Sequence, residues 1–550
     1  MKYVVYVLFF LFLSGCTSYN DVDKTPSIKG DIEDNDSWYD DMTDEVLFMR
    51  VNIPVPNDFN CTDFNDTNGT LRPCTLADVN NDTDANDDYE PLLHVNMQTD
   101  DFLSSPDFMN ASFEQKGKST RRAPQKSYRI KLDENISLYR KERTFQLNKH
   151  PYDDSRVRNK LAFDFFREIP HITSLKTEFV YLDINSSEVN SSNYGLFTHI
   201  EKAGKEFLIN RGWNEDDNLY KAQNFAFFLH EELAIDSKGK PKDPDLFDTR
   251  LEIERGKNHT VLDNMLHEVN DYSNNFDDVF EKYFNRNNYI TWMAINIVLA
   301  NKDTVSQNFF LLNPINSDTF YFLPWDYDGM GRATEKYAKW ELGISTWWEI
   351  PVHKRFLSIE QNRLELDAMV NTLRSVYITP ENIQNKLNIY EQLISKYIAR
   401  DPDADQLSYD RWQNELNILI PRIDENIANY QSQFGHPMPF WQEALYEDGV
   451  LTLGWDRSVD LEGDIIEYEL KVSASPDMNN SFIDEIVEEK SALVLENVVY
   501  KTEIDLEPGK YYMRVISREV NNHEHYQIGF EASVQIDDVY YDGVLEFEVK

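Results

Sequence analysis

Cationic residues are scarce in this chain: 54 Lys and Arg stand against 97 Asp and Glu in 550 residues, a formal net charge of −43. A field of that sign repels nucleic-acid backbones and anionic headgroups, so nucleic-acid binding is excluded, and cations or basic partners are attracted. Long apolar runs are missing too. The run Tyr3 to Leu13 at the start is too short to cross a bilayer as a helix, and no other stretch is long enough. Cysteine is limited to Cys16, Cys61 and Cys74, none with a catalytic signature. What is present is 41% apolar and 13% aromatic residues, enough to bury substantial cores. At roughly 100 to 200 residues per domain, the length predicts two or three domains.

Residues 1–16 carry Lys2, the apolar run and then Leu13-Ser14-Gly15-Cys16. The run fits the core of a signal peptide. The small residues before Cys16 resemble the lipobox of bacterial lipoproteins, which implies lipidation of Cys16, export, and anchoring by lipid in a bacterial cell envelope, at the outer membrane or cell surface. In an exported chain the remaining pair, Cys61 and Cys74, predicts a disulfide closing a short loop, with two isolated thiols as the alternative. Residues 17–43 are rich in Asp, Asn and Ser and read as a solvated acidic tether.

Residues 44–435 form the expected main body. Val46 to Ile53, Leu92 to Met97, Ser127 to Leu132, Phe179 to Ile184 and Gly195 to Ile200 read as strands. Asp154 to Ile169 reads as a helix capped by Asp154 and stopped by Pro170, and Tyr289 to Ala300 as a core helix. Asp78 to Asn86 sets oxygen ligands at alternate positions, as calcium loops do, but lacks the sixth-position Gly and has Tyr89 where a Glu closes such loops. A solvated acidic loop is therefore the first expectation and Ca²⁺ the second. After Pro439, residues 440–550 turn to short alternating strands, an all-β sandwich pattern. Leu451 to Trp455, Tyr468 to Val472 and Leu506-Glu507-Pro508-Gly509-Lys510-Tyr511-Tyr512 resemble fibronectin type III strands, which implies an immunoglobulin-like sandwich used for spacing or binding.

The candidate chemistry lies after the core helix. Asn301-Lys302-Asp303-Thr304-Val305-Ser306-Gln307-Asn308 reads as a loop, and a hairpin follows through Phe309 to Leu323. It delivers Pro324-Trp325-Asp326-Tyr327-Asp328-Gly329. Phosphoryl transfer asks little covalent chemistry of a protein and much positioning: one carboxylate for the acceptor hydroxyl, and amide and carboxylate oxygens for Mg²⁺ on the phosphates. Protein kinases use an Asp, an Asn five positions on, and a hairpin leading to a second Asp. Asp303, Asn308 and Asp326 follow that order, although the chain has no His-Arg before Asp303, no Asp-Phe-Gly and no Val-Ala-Ile-Lys. On its own that spacing is weak, because loops favour Asp and Asn.

Further words resemble the CotH kinase-like family: Gly117-Lys118-Ser119-Thr120-Arg121, Lys126 to Leu132, Leu147-Asn148, Arg158 to Ala162, Tyr194 to Phe197 with Glu201, Asn218 to Lys221, and Pro324 to Asp328. The resemblance implies an α+β body with an atypical protein-kinase-like bilobal fold, using ATP and Mg²⁺ or Mn²⁺ on Ser or Thr of an envelope protein. By position, Asp303 would be the catalytic base. Asn308 and Asp326 would hold the metal, with Asp328 a further ligand. The strand Ser127 to Leu132 turns Arg129 and Lys131 to one face, and Lys131, or else Lys126, would neutralise ATP phosphates. Glu168 is a candidate partner for that Lys, and Glu201 marks the hinge. The alternative function is a non-catalytic surface lipoprotein that binds proteins or polysaccharide.

Overall fold

The computed structural model describes residues 25–550 apart from 63–69, 84–89, 106, 189–191, 333–336, 490–492, 495–496, 532–533 and 537–538. The leader and Cys16 lie outside the described residues, as do Tyr89 and the last part of the acidic loop before it. No helix among the described residues is long and apolar enough to cross a membrane.

The first layer is a closed barrel built from β1 (Leu47–Asn52), β4 (Leu92–Thr99), β5 (Ala111–Lys116), β6 (Ser127–Leu132), β7 (Thr144–Asn148), β8 (Thr177–Asn185) and β9 (Asn193–Glu201). Antiparallel ladders run from β1 through β4, β5, β6, β7 and β9 to β8, and β8 returns parallel to β1, with Leu47 opposite Val180. Alternation along each strand sends Val51, Val95, Phe113, Ile130 and Leu147 inward to one core. The opposite faces of β8 and β9 place Phe179, Leu196 and Ile200 in a second, larger core shared with the helices. At one side, β2 (Asn60–Thr62) and β3 (Leu71–Pro73) form a small ladder whose Cys61 is disulfide-bonded to Cys74.

Of the acidic loop, residues 78–83 are described. Its first part is helix α1 (Leu76–Asn81), capped by Thr75, and Asp78 serves that cap and holds Arg72 at 2.6 Å. Asp82 is buried against Arg121. Among the described residues of the loop, Asp78 and Asp82 are thus matched to guanidinium groups. The tether expectation is corrected over residues 25–43. Ile28 and Ile32 are buried in the large core, Tyr39 is buried as well, and Asp41 pairs with Lys176 at 2.7 Å. Apolar residues every few positions in an otherwise polar stretch gave this segment enough to bury.

Helix α2 (Arg158–Phe166) begins four residues later than the sequence predicts. Arg156 sits at φ 58°, which no helix continues through, and Asp153, not Asp154, accepts the Arg158 backbone N–H at 3.2 Å. Asp154 pairs instead with Arg411. The second layer is a four-stranded sheet in the order β11 (Leu251–Arg255), β10 (Asn218–Ala222), β12 (Phe309–Asn313), β13 (Tyr321–Pro324). Around it pack α3 (Lys205–Asn210), α4 (Pro244–Arg250), α5 (Thr260–Asn270), α6 (Phe276–Tyr283), α7 (Arg286–Leu299), α8 (Pro351–Leu357), α9 (Glu360–Thr372), α10 (Pro380–Ile398) and α11 (Tyr409–Gln433). Asn285 caps α7 by accepting from the Asn288 N–H, and the helix is then buried on every side from Asn288 to Leu299.

The last region is all β. One sheet orders β14 (Gln442–Glu447), β15 (Val450–Asp456), β19 (Asn497–Glu503) and β18 (Leu493–Val494); the other runs β17 (Ile483–Glu488), β16 (Ile466–Ser473), β20 (Gly509–Glu519) and β21 (Tyr526–Ile528). A strand at Val544–Val549 pairs with β20. Trp455, Tyr468, Leu470 and Val515 form its own core, while Met438 and Phe530 belong to the large core of the body.

Candidate active site

Helix α7 ends at Ala300, in the left-handed region at φ 47°, and its N–H groups fold back onto Asn296 and Ile297. A single turn over Lys302–Thr304 follows, with Thr304 buried and Asp303 exposed. The loop is hooked to the sheet at its far end. Phe225 donates its N–H to the Ser306 carbonyl at 2.6 Å, and Asn308 donates its own to the Ala222 carbonyl at 3.2 Å, at the end of β10. Asn308 and Asp326 both lie in the left-handed region, at φ 57° and 56°, which Asn and Asp tolerate better than most residues. The pair Phe309 and Pro324 closes the β12–β13 ladder, so Asn308 and Trp325–Asp326 flank the same end of it.

Asp326 is held by a neutral bracket. Asn159, on α2, donates from Nδ2 to the Asp326 carboxylate at 3.4 Å and accepts the Tyr327 N–H at 2.6 Å. Asn301 donates to the Asp326 carbonyl at 3.5 Å. The loop then turns back: Gly331 donates to Leu299 at 2.8 Å, and Arg158, anchored to Asp153 and Glu415, donates to the Met330 carbonyl at 2.7 Å. That return brings Gly329 against the loop after α7. A Cβ at Gly329 would stand 3.3 Å from Oδ2 of Asp303, so the Asp303 carboxylate and the Asp326–Gly329 turn share one pocket edge.

Among the described residues, Lys116, at the end of β5, is a cation that faces Asp326 and Asp328. Its Nζ donates to Asn148 Oδ1 at 2.8 Å and lies 5.3 Å from the Trp325 ring. Burial pushes the Lys116 ammonium down to about 7, with Asp326 and Asp328 opposing and Lys221 and Arg129 adding to the shift. Burial, then the neighbouring Asp328, push Asp326 up to about 6, against the pull of Lys116 and His150. His150 Nδ1 lies 3.6 Å from Asp328. Arg129 and Lys221 on the same wall are matched by Glu114 and by Glu252.

Lys131 does not join this group. It shares the outer face of the barrel with Arg129, but it stands toward the solvent end, half exposed, with Nζ 3.7 Å from Glu134. Lys126 donates to the Arg121 carbonyl and lines a separate cavity of about 480 Å³ at the mouth of the barrel, with Tyr128, Lys149, Tyr194 and Phe197. Glu168 pairs with Lys386 at 2.7 Å, and Glu201 is buried against Arg211. Sequence reading assigned no role to Lys116, Asn148, His150 or Asn159, although Asn148 and Asn159 stand in the words that carry the family resemblance. A signal for Lys116 was present, since it alternates with Ser112 and Glu114 on the face that Arg129 and Lys131 share, and it directly precedes Gly117.

The sequence model of the family described as CotH kinase protein matches residues 113–429, a span holding Lys116, Asp303, Asn308, Asp326 and Asp328 and ending before the C-terminal β region. The chain is also similar to the inner spore coat protein H of Bacillus subtilis (strain 168), with 24% identity over 376 residues, 66% of this chain and 94% of that protein. With more than half of its length matched from the barrel through α11, the chain belongs to the CotH kinase protein family.

Proposed function

We propose that this protein is an atypical protein kinase of bilobal, kinase-like fold, transferring the γ-phosphoryl group of ATP to a Ser or Thr of an envelope or surface protein. The observation that carries the reading is the convergence of Lys116, Asp326 and Asp328 with Asp303 across the Gly329 turn. Hard oxygen donors suit Mg²⁺ or Mn²⁺. Two carboxylates that repel each other, one of them raised to about 6, also fit a site completed by a divalent cation. Asp326 and Asp328, with the Asn308 amide, would hold that ion, which supplies charge neutralisation on the phosphates.

Each residue then has a distinct task. Lys116 places an ammonium at the cleft wall where phosphate oxygens would lie, held in direction by Asn148. Asp303, exposed on the turn after α7, accepts the proton of an incoming hydroxyl. Asn159 and Arg158 keep the metal-holding turn in place. We also propose export and lipid anchoring at Cys16, from the leader sequence.

Asp326→Asn removes a charge that holds the ion, so stabilisation of the protein by Mg·ATP or Mn·ATP should fall together with transfer of labelled phosphate. Asp303→Asn should keep the thermal shift and lose turnover by roughly 10² to 10⁴-fold, the range of a positioned base. An unmodified protein that no Mg or Mn nucleotide stabilises would overturn the reading in favour of a non-catalytic surface protein that binds proteins or polysaccharide.

A further inference from the structure

The segment that follows the metal-holding turn is gripped from both sides. On the side of the site, Lys302, the neighbour of Asp303, reaches it twice: Nζ is 2.6 Å from Oε1 of Glu341 and 3.7 Å from the centre of the Tyr337 ring. Glu341 is itself fixed, since Oε2 accepts the Ala338 N–H at 2.8 Å. Burial, with Asp303 and Glu341 adding and Arg332 opposing, raises the Tyr337 hydroxyl, which places that ring within the field of Asp303.

The other side is the C-terminal β region. Tyr526, on β21, stacks under Lys339 with Nζ 4.0 Å from the ring centre. Gln527, fully buried, donates to the Ser345 hydroxyl at 3.1 Å, and that hydroxyl donates to Gln433 of α11 at 2.7 Å. Phe530 meets Trp340 edge-on, with ring centres 5.7 Å apart, and is buried in the large core. The grip comes from residues outside the family match, which ends at residue 429.

Asp303 needs such support. It sits in a three-residue 3₁₀ turn with no side-chain cap, and the hydrogen-bond geometry of such turns is poorer than that of an α-helix. We infer that the C-terminal β region is a positioning element for Asp303: Tyr526, Gln527 and Phe530 hold the stretch from Tyr337 to Trp347, and Glu341 with Tyr337 passes that constraint to Lys302 and the turn carrying Asp303. The effect on turnover rests on the kinase reading; the mechanical coupling does not.

The test uses the full chain with Phe530→Ala, Gln527→Ala and Glu341→Gln, Mg·ATP as nucleotide and casein as the probe acceptor. Amide hydrogen exchange is followed over residues 302–308 and 337–347. Phe530→Ala and Gln527→Ala should speed exchange in both segments and leave the barrel strands unchanged. They should lower kcat about 10-fold or more, as an ångström-scale misplacement does, while KM for ATP and the nucleotide thermal shift stay within about twofold. Glu341→Gln should loosen 302–308 without loosening 526–530, and Phe530→Leu should recover most of the loss. Exchange that rises only over 337–347, or kcat unchanged in a variant whose interface has loosened, would overturn the inference. If Phe530→Ala does not fold, Gln527→Ala carries the same measurement. If the unmodified protein transfers no phosphate, the kinase reading falls, and the exchange over 302–308 still decides the coupling.

Discussion

At the scale of single residues, the cleft is organised by two groups whose charges are both weakened. Lys116 is pushed down to about 7 and Asp326 up to about 6, each chiefly by burial. The signs give different pH windows. From about 7 to the ordinary lysine value of 10.5 the unfolded chain holds a proton on Lys116 that the folded chain lacks, so folding stability rises with pH there, and Lys116→Met should abolish that rise. Between 3.8 and about 6 the folded state holds the Asp326 proton more tightly than the unfolded state, so stability falls as pH rises through that window. Ligand binding follows from the same groups. Below pH 6 a divalent cation must displace the Asp326 proton, so Mg-dependent nucleotide stabilisation should weaken by up to about tenfold in apparent affinity per pH unit. Thermal shifts with Mg·ATP from pH 5 to 8 check this. Lys116→Met should lose most of the shift near pH 6.5, while Lys131→Met should keep it, because an exposed pair such as Lys131 with Glu134 contributes only about 0 to 1 kcal/mol. Equal losses in the two variants would return Lys131 to the site.

At the scale of elements, the site is an arrangement of three ends: the C-terminus of α7, the end of the β12–β13 hairpin and the end of β5. Each is tied to a neighbour by backbone hydrogen bonds, as with Gly331 to Leu299 and Asn308 to Ala222. Gly329 is where two of these ends touch. An alanine there would bring a methyl within 3.3 Å of the Asp303 carboxylate, closer than such contacts normally run. Because Asp303 is exposed and its side chain free to yield, Gly329→Ala should fold with a midpoint within about 0.5 kcal/mol of the parent. It should still displace the carboxylate and cost turnover about 10-fold. Denaturant melts and steady-state rates on the same preparation test it, and undiminished kcat would show that Asp303 acts from a position the methyl does not reach. Helix α2 matters for the same reason: had it begun at Asp154, Arg158 would not be free to meet Met330.

At the scale of the whole molecule, the excess of carboxylates over cations spreads through every layer, and many acidic groups near the core are matched individually, as Asp41 is by Lys176 and Glu201 by Arg211. The stretch 25–43 packs on the body, so the polar composition of residues 17–43 does not make that part of it a solvated tether. The proposed lipid anchor is tested by Cys16→Ser. That variant should move from the detergent to the aqueous phase on partitioning, or accumulate with its leader uncleaved. Unchanged partitioning would remove the anchor from the account.

By itself the sequence determined the strands and helices with strong period, because burial on one face imposes a repeat of 2 or 3.6 residues whatever the global arrangement. The barrel strands at 47–52, 127–132 and 177–185, helix α7, the β12–β13 hairpin and the all-β end were legible that way. The order of Asp303, Asn308, Asp326 and Asp328 along one loop and one hairpin is a local property that can be read there too, while the roles proposed for them came from the family resemblance. Tertiary structure alone decided which lysine faces the carboxylates, because several strands present cations on the same outer face and only closure of the barrel fixes which end meets Asp326. It decided the fate of residues 25–43, where Ile28, Ile32 and Tyr39 are too sparse for a periodic signal yet each is buried. It also decided the contact of Phe530 with Trp340, made by residues 190 positions apart, which no local pattern encodes.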